Sequence, residues 1–218
     1  MLESDQCLIV STGRSGTLFV TKVLKALGVS AAHEREDGLY VASFYHARKY
    51  QMFKWVLHQV RHPLKVVGSL VTFDESAFRA SENLLKPLYG VVYPKPMGFN
   101  KSHREGKYSA AQWEEMVRFR KVGAVWHAYY WNRMIEEYLN PLFRYKVEEL
   151  RDSVDRILSV TGSTMTPGVD VGAVFESLGT KTHTRPNRLD MTWDEVEEIS
   201  PKVAPLLREM TDRYGYEL

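Results

Sequence analysis

Between the first apolar run and the first helical pattern the chain reads Ser11-Thr12-Gly13-Arg14-Ser15-Gly16-Thr17, a composition suited to holding an anion. Gly13 and Gly16 let the backbone approach closely and aim successive N–H groups at an oxyanion, and a helix beginning there adds its dipole. Ser15 and Thr17 contribute hydroxyl donors, and Arg14 a fixed positive charge. The loop is not of the G-x-x-x-x-G-K-[ST] type, because Gly16 is followed by Thr17 rather than lysine, which disfavours an ordinary ATPase or GTPase. Alone, it serves equally well as a polar turn that caps a helix. A second signal is Arg61, with Ser69 eight residues further on. If Arg61 ends a strand and Pro63 opens a helix, Ser69 falls about two turns into that helix. Each residue alone also reads as a surface charge or a small packing residue. Their joint spacing carries the information.

The elements that must position these residues follow from periodicity. Cys7-Leu8-Ile9-Val10 predicts a strand, and Leu18, Phe19, Val20, Val23, Leu24 and Leu27 recur at helical spacing up to a stop at Gly28. Further strands are expected over Leu39 to Phe44, Phe53 to Val60 and Leu142 to Val147, with helices after Pro63 and from Glu148 to Val160. Ser109-Ala110-Ala111-Gln112 has the form of a capping box opening a long helix to about Leu139, which Gly123 is a candidate to split. The aromatic stripe of that helix (Trp113, Trp126, Tyr129, Tyr130) reads as core. Thr192-Trp193-Asp194-Glu195 caps a last helical region interrupted by Pro201. Strands alternating with helices predict parallel βαβ units, whose ligands bind at the carboxyl ends of the strands, where both suspect loops fall.

The 218 residues, 44% hydrophobic and 26% charged, fit one domain over residues 1–218 with a sizeable core. A formal charge of +2 gives no ground for a nucleic-acid partner. Cys7 is the only cysteine, so neither an intrachain disulfide nor a cysteine metal cluster is available, and a reducing compartment suits the chain. No signal peptide and no window near the roughly 20 apolar residues of a membrane span is visible, so a cytoplasmic protein with no membrane partner is expected. From Phe73 to Tyr108 the periodicity fades among prolines, aromatics and mixed charge, and this segment is read as a candidate substrate lid.

Gly13-Arg14-Ser15-Gly16-Thr17 after the first strand resembles the 5′-phosphosulfate loop of sulfotransferases that use 3′-phosphoadenosine 5′-phosphosulfate (PAPS), and Arg61-His62-Pro63 with Ser69 resembles their 3′-phosphate motif. Weaker echoes are Tyr145-Lys146-Val147-Glu148-Glu149, where the family often has tyrosine before the two acids, and Tyr214-Gly215-Tyr216-Glu217, similar to the end of many small bacterial members. The resemblance implies a P-loop-like three-layer α/β/α fold with a central, mostly parallel sheet of about five strands. It further implies transfer of a sulfonate from PAPS to a hydroxyl or amine of a small-molecule or carbohydrate acceptor, leaving 3′,5′-adenosine bisphosphate (PAP), with no metal. Thr12, Gly13, Arg14, Ser15, Gly16 and Thr17 would hold the 5′ side of the donor, Arg61 and Ser69 the 3′-phosphate, and Arg14 would also stabilise the leaving group. Glu34 is the first choice of general base and His33 the second, since small members resembling this chain often carry His-Glu there. The late Arg-Lys-Gly motif of familiar cytosolic members is missing, and Lys181, His183, Arg185 and Arg188 are candidate replacements. Two other readings stay open: a nucleotide-kinase-like phosphotransferase and a non-catalytic nucleotide-binding protein.

Overall fold

The computed structural model describes residues 7–34, 39–43, 53–72, 75–94, 109–179 and 189–218. The chain divides into two compact units, one of residues 1–61 and 135–185, the other of residues 62–134 and 186–218.

The first unit is built on a sheet of five strands: β1 (Cys7–Ser11), β2 (Ala31–His33), β3 (Leu39–Ala42), β4 (Trp55–Val60) and β5 (Phe143–Lys146). Their order is β2-β3-β1-β4-β5, and all four pairings are parallel. With helices on both sides of the sheet, this is the three-layer α/β/α architecture, P-loop-like in strand order, that the sequence predicts. A parallel strand at the centre is covered on both faces, which is why β1 is apolar without alternation: Leu8, Ile9 and Val10 are fully buried. Each such side chain contributes about 1.5–3 kcal/mol by leaving water.

Helix α1 (Thr17–Ala26) follows the loop and turns Val20, Val23 and Leu24 toward β1 and β3 in the main core cluster. It ends as expected at Gly28, in a Schellman motif: Val29 N–H donates to the Leu24 carbonyl at 2.9 Å and Gly28 N–H to that of Lys25 at 3.0 Å. Gly28 has φ 84, a conformation open to glycine. On the same core lie α5 (Leu150–Thr161), preceded by a 3₁₀ turn (Val147–Glu149), and α6 (Val171–Leu178), which the sequence reading did not separate from loop. Phe19 of α1 meets Phe175 of α6 edge to face, with centroids 6.1 Å apart.

The second unit is helical: α2 (Pro63–Leu70), α3 (Glu75–Tyr89), most of α4 (Ala110–Tyr138), α7 (Trp193–Ile199) and α8 (Ala204–Arg213). The predicted capping box of α4 is present, with Ser109 N–H donating to Gln112 Oε1 at 2.9 Å and Gln112 N–H to Ser109 Oγ at 3.3 Å. Gly123 does not split the helix, which runs unbroken through it, and the residue is buried. Thr192 and Glu195 form a second capping box at α7. Helix α3 occupies much of the segment read as a lid, and residues 95–108 of that segment lie outside the described residues. Among the described residues no helix is long and apolar enough to cross a membrane.

Candidate functional site

At the carboxyl end of β1 the loop crosses to α1 with Arg14 at φ 71 and Gly16 at φ 93. The left-handed region costs a residue with a side chain about 1–2 kcal/mol, so Arg14 stays there only because its surroundings hold it. Three bonds do so. Ser15 N–H donates to the Thr12 carbonyl at 3.2 Å, Arg61 Nη1 to the Arg14 carbonyl at 3.1 Å, and Gln59 Nε2 to the Ser15 carbonyl at 2.7 Å. Gly16 is required twice over, by its φ and because a Cβ would stand 2.9 Å from Val147 Cγ2. Gly16 is also the N-cap of α1, and no side chain caps that helix. Thr12 is wholly buried, and its hydroxyl has no hydrogen-bond partner among the described residues. An uncapped helix start beside an unspent hydroxyl fits a bound oxyanion.

Next to the loop stands the His33-Glu34 pair. The three-residue strand β2, which sequence periodicity did not show, ends on His33 and sets its Nε2 2.9 Å from Oγ1 of Thr17, the first residue of α1. Burial lowers the His33 pKa below its ordinary value, against the opposing pull of the Glu34 charge, so the imidazole is neutral at pH 7. Glu34 follows at φ 55, and its N–H donates to the Val41 carbonyl at 2.9 Å, carrying the β2–β3 pairing one step further. Its Oε1 accepts from Ser43 N–H at 2.6 Å and from Ser43 Oγ at 2.7 Å. Its Oε2 is shut away from solvent with no hydrogen-bond partner among the described residues. Of the three non-glycine residues with positive φ among those described, two are Arg14 and Glu34. Backbone strain of this kind collects at functional sites.

Of the residues predicted from sequence, Thr12 to Thr17, His33, Glu34 and Arg61 all belong to the first unit, at the carboxyl ends of β1, β2 and β4. Ser69 belongs to the second unit, nearly buried on α2, with its carbonyl accepting from the Thr72 hydroxyl at 3.2 Å. Lys181, His183, Arg185 and Arg188 lie outside the described residues. His62 caps α2, its Nδ1 accepting from Leu64 N–H at 3.2 Å. His58 is fully buried within β4.

Three polar side chains escaped the sequence reading. Ser43 anchors Glu34, Gln59 anchors the loop, and Tyr145 donates its O–H to Gln59 Oε1 at 3.0 Å. The signal that was available is Gln59 itself, an amide in an otherwise largely apolar strand pattern. Burial, and to a lesser degree the nearby Cys7, raises the Tyr145 phenol well above its ordinary value and keeps the hydroxyl a donor. Among the described residues no group of three or more His, Cys, Asp or Glu converges as a metal site.

No protein-family model matches this sequence, and no curated protein matches it. Among solved structures the chain is similar to mouse sulfotransferase SULT7A1 complexed with PAP, at a TM-score of 0.45 and 13% identity, over 97% of this chain and 90% of that one.

Proposed function

We propose that this protein transfers a sulfonate group from PAPS to a hydroxyl or amine acceptor and releases PAP. The observation that carries the reading is the meeting of two features at the carboxyl ends of β1 and β2, the parallel strands on either side of β3: an uncapped anion loop containing Arg14, and a His-Glu pair joined to it through the 2.9 Å Thr17–His33 contact. An anion loop alone would serve a binding protein. A carboxylate held in a strained backbone beside it supports chemistry on what is bound.

The donor supplies an activated sulfonate whose departure leaves negative charge on its 5′-phosphate. Arg14, the N–H groups at the start of α1 and the hydroxyls of Thr12 and Thr17 would face that charge, and fixed dipoles of this kind stabilise developing charge without having to reorganise. Arg61 would reach the 3′-phosphate; Ser69 is given to the same group by the family resemblance alone. Glu34 is the better placed of the two candidate bases. Its Oε1 is committed to Ser43, which fixes the carboxylate, and Oε2, buried without a hydrogen-bond partner among the described residues, would take the acceptor's proton once binding uncovers it. His33 spends Nε2 on Thr17 and so joins the base-bearing strand to the loop. The segment 73–108 supplies aromatic and basic side chains suited to a small-molecule or carbohydrate acceptor.

Thermal unfolding with PAP and with ATP tests the donor. A ligand that binds only the native state stabilises it by about 2.7 kcal/mol at 100 times its Kd. PAP is expected to raise Tm strongly and ATP weakly, because only PAP carries the 3′-phosphate. Equal shifts would remove the 3′-phosphate assignment and favour the nucleotide-kinase-like alternative.

A further inference from the structure

Gln59 is fully buried, and in the sheet it is the register partner of Ser11 on β1 and of Tyr145 on β5. Residues paired in this way point to the same face, so Tyr145, Gln59 and the end of β1 form a row across three strands. The row is bonded throughout: Tyr145 O–H to Gln59 Oε1 at 3.0 Å, then Gln59 Nε2 to the Ser15 carbonyl at 2.7 Å. Its polarity has one solution. The Ser15 carbonyl is an acceptor only, so the amide must turn its NH₂ toward it, which leaves Oε1 facing β5 and in need of a donor. The Tyr145 hydroxyl is that donor.

A trans peptide points its C=O and its N–H to opposite sides. Drawing the Ser15 carbonyl toward Gln59 therefore turns the Gly16 N–H, at the start of α1, away from β4. The preceding peptide is fixed at both ends as well, by Arg61 on the Arg14 carbonyl and by the Thr12 carbonyl on Ser15 N–H. We propose that Gln59 and Tyr145 are positioning residues for the donor, a buried strut that holds the Ser15 carbonyl and thereby aims the Gly16 N–H at the donor's 5′-phosphate. This assignment rests on the sulfotransferase reading and gives a function to two residues that touch neither donor nor acceptor in it.

The strut acts on one end of the ligand, which separates it from ordinary core packing. The test is calorimetric titration of the full chain with PAP and with adenosine 3′-monophosphate, which lacks the 5′-phosphate. Tyr145→Phe removes the donor hydroxyl and frees the amide to turn over. Gln59→Glu keeps the shape and the Tyr145 partner but faces the Ser15 carbonyl with a carboxylate oxygen. Each variant is expected to bind PAP about tenfold more weakly, the effect of one misdirected hydrogen bond to a charged group, while affinity for adenosine 3′-monophosphate changes less than about twofold. Unchanged PAP affinity in both variants overturns the strut, and so does an equal loss for both ligands. If Tyr145→Phe does not fold, Gln59→Glu decides; unfolding of both overturns the assignment by making the pair part of the core. Failure of the wild-type chain to bind PAP overturns the sulfotransferase reading, and the strut with it, which differs from wild-type binding that the variants leave intact.

Discussion

At the scale of single residues the site is defined by side chains whose hydrogen bonds are unequally spent. Glu34 commits one oxygen to Ser43 and keeps the other buried without a hydrogen-bond partner among the described residues. A buried acceptor left so is costly and points to a partner supplied by a ligand. Glu34→Gln preserves shape and the bond from Ser43 but removes the proton-accepting charge. Sulfonation is expected to fall by at least about 100-fold, the usual share of a general base, with PAP binding unchanged. Turnover by coupled assay and binding by calorimetry check both parts; near-normal turnover would transfer the role to His33. His33 and Glu34 were singled out from the sequence, yet their division of labour was not, because it depends on Thr17 and Ser43, which approach them from other strands and helices.

At the scale of elements the join of β1, loop and α1 carries the proposed function, and its geometry was largely written in local chemistry. Gly16 supplies the left-handed turn, Gly28 the Schellman stop, and Ser109 with Gln112 and Thr192 with Glu195 the boxes that open α4 and α7. Each of these signals acts within six residues, so the sequence displays it. Gly16→Ala is expected to lower the free energy of unfolding by about 1–2 kcal/mol, since the new methyl group both opposes φ 93 and presses on Val147. Urea denaturation would measure the loss, and PAP affinity should fall with it because the loop N–H groups move. By contrast β2 and α6 were not foreseen. A strand of three residues offers less than two periods of alternation, and α6 is short, with none of its residues buried.

At the scale of the whole molecule, loss of stability in acid has an identifiable source outside the site. His127 on α4 is fully buried, stacked on Trp131 and set edge-on to Phe78, with the Tyr93 hydroxyl 3.1 Å from Nδ1. Burial lowers its pKa to about 3. The folded state thus keeps His127 neutral while the unfolded chain takes up a proton near its ordinary value of about 6.5. This contribution is fully present above that value and is lost as pH falls toward 3, at up to about 1.4 kcal/mol per pH unit. Between pH 7 and pH 5 it amounts to about 2 kcal/mol, and His127→Leu should flatten the stability-versus-pH curve of urea unfolding by that amount over that interval. An unchanged slope would show that the imidazole is protonated in place. The sequence by itself determined the α/β class, the order of strand, loop and helix, and the residue types at the loop and at the His-Glu pair, because propensity, capping and glycine conformation act over a few neighbours. Only the tertiary structure decided what holds the loop. Gln59 lies 44 residues from Ser15, and Tyr145 lies 86 residues from Gln59. Their meeting depends on the parallel register of β1, β4 and β5, and no local period encodes register between strands so far apart in the chain.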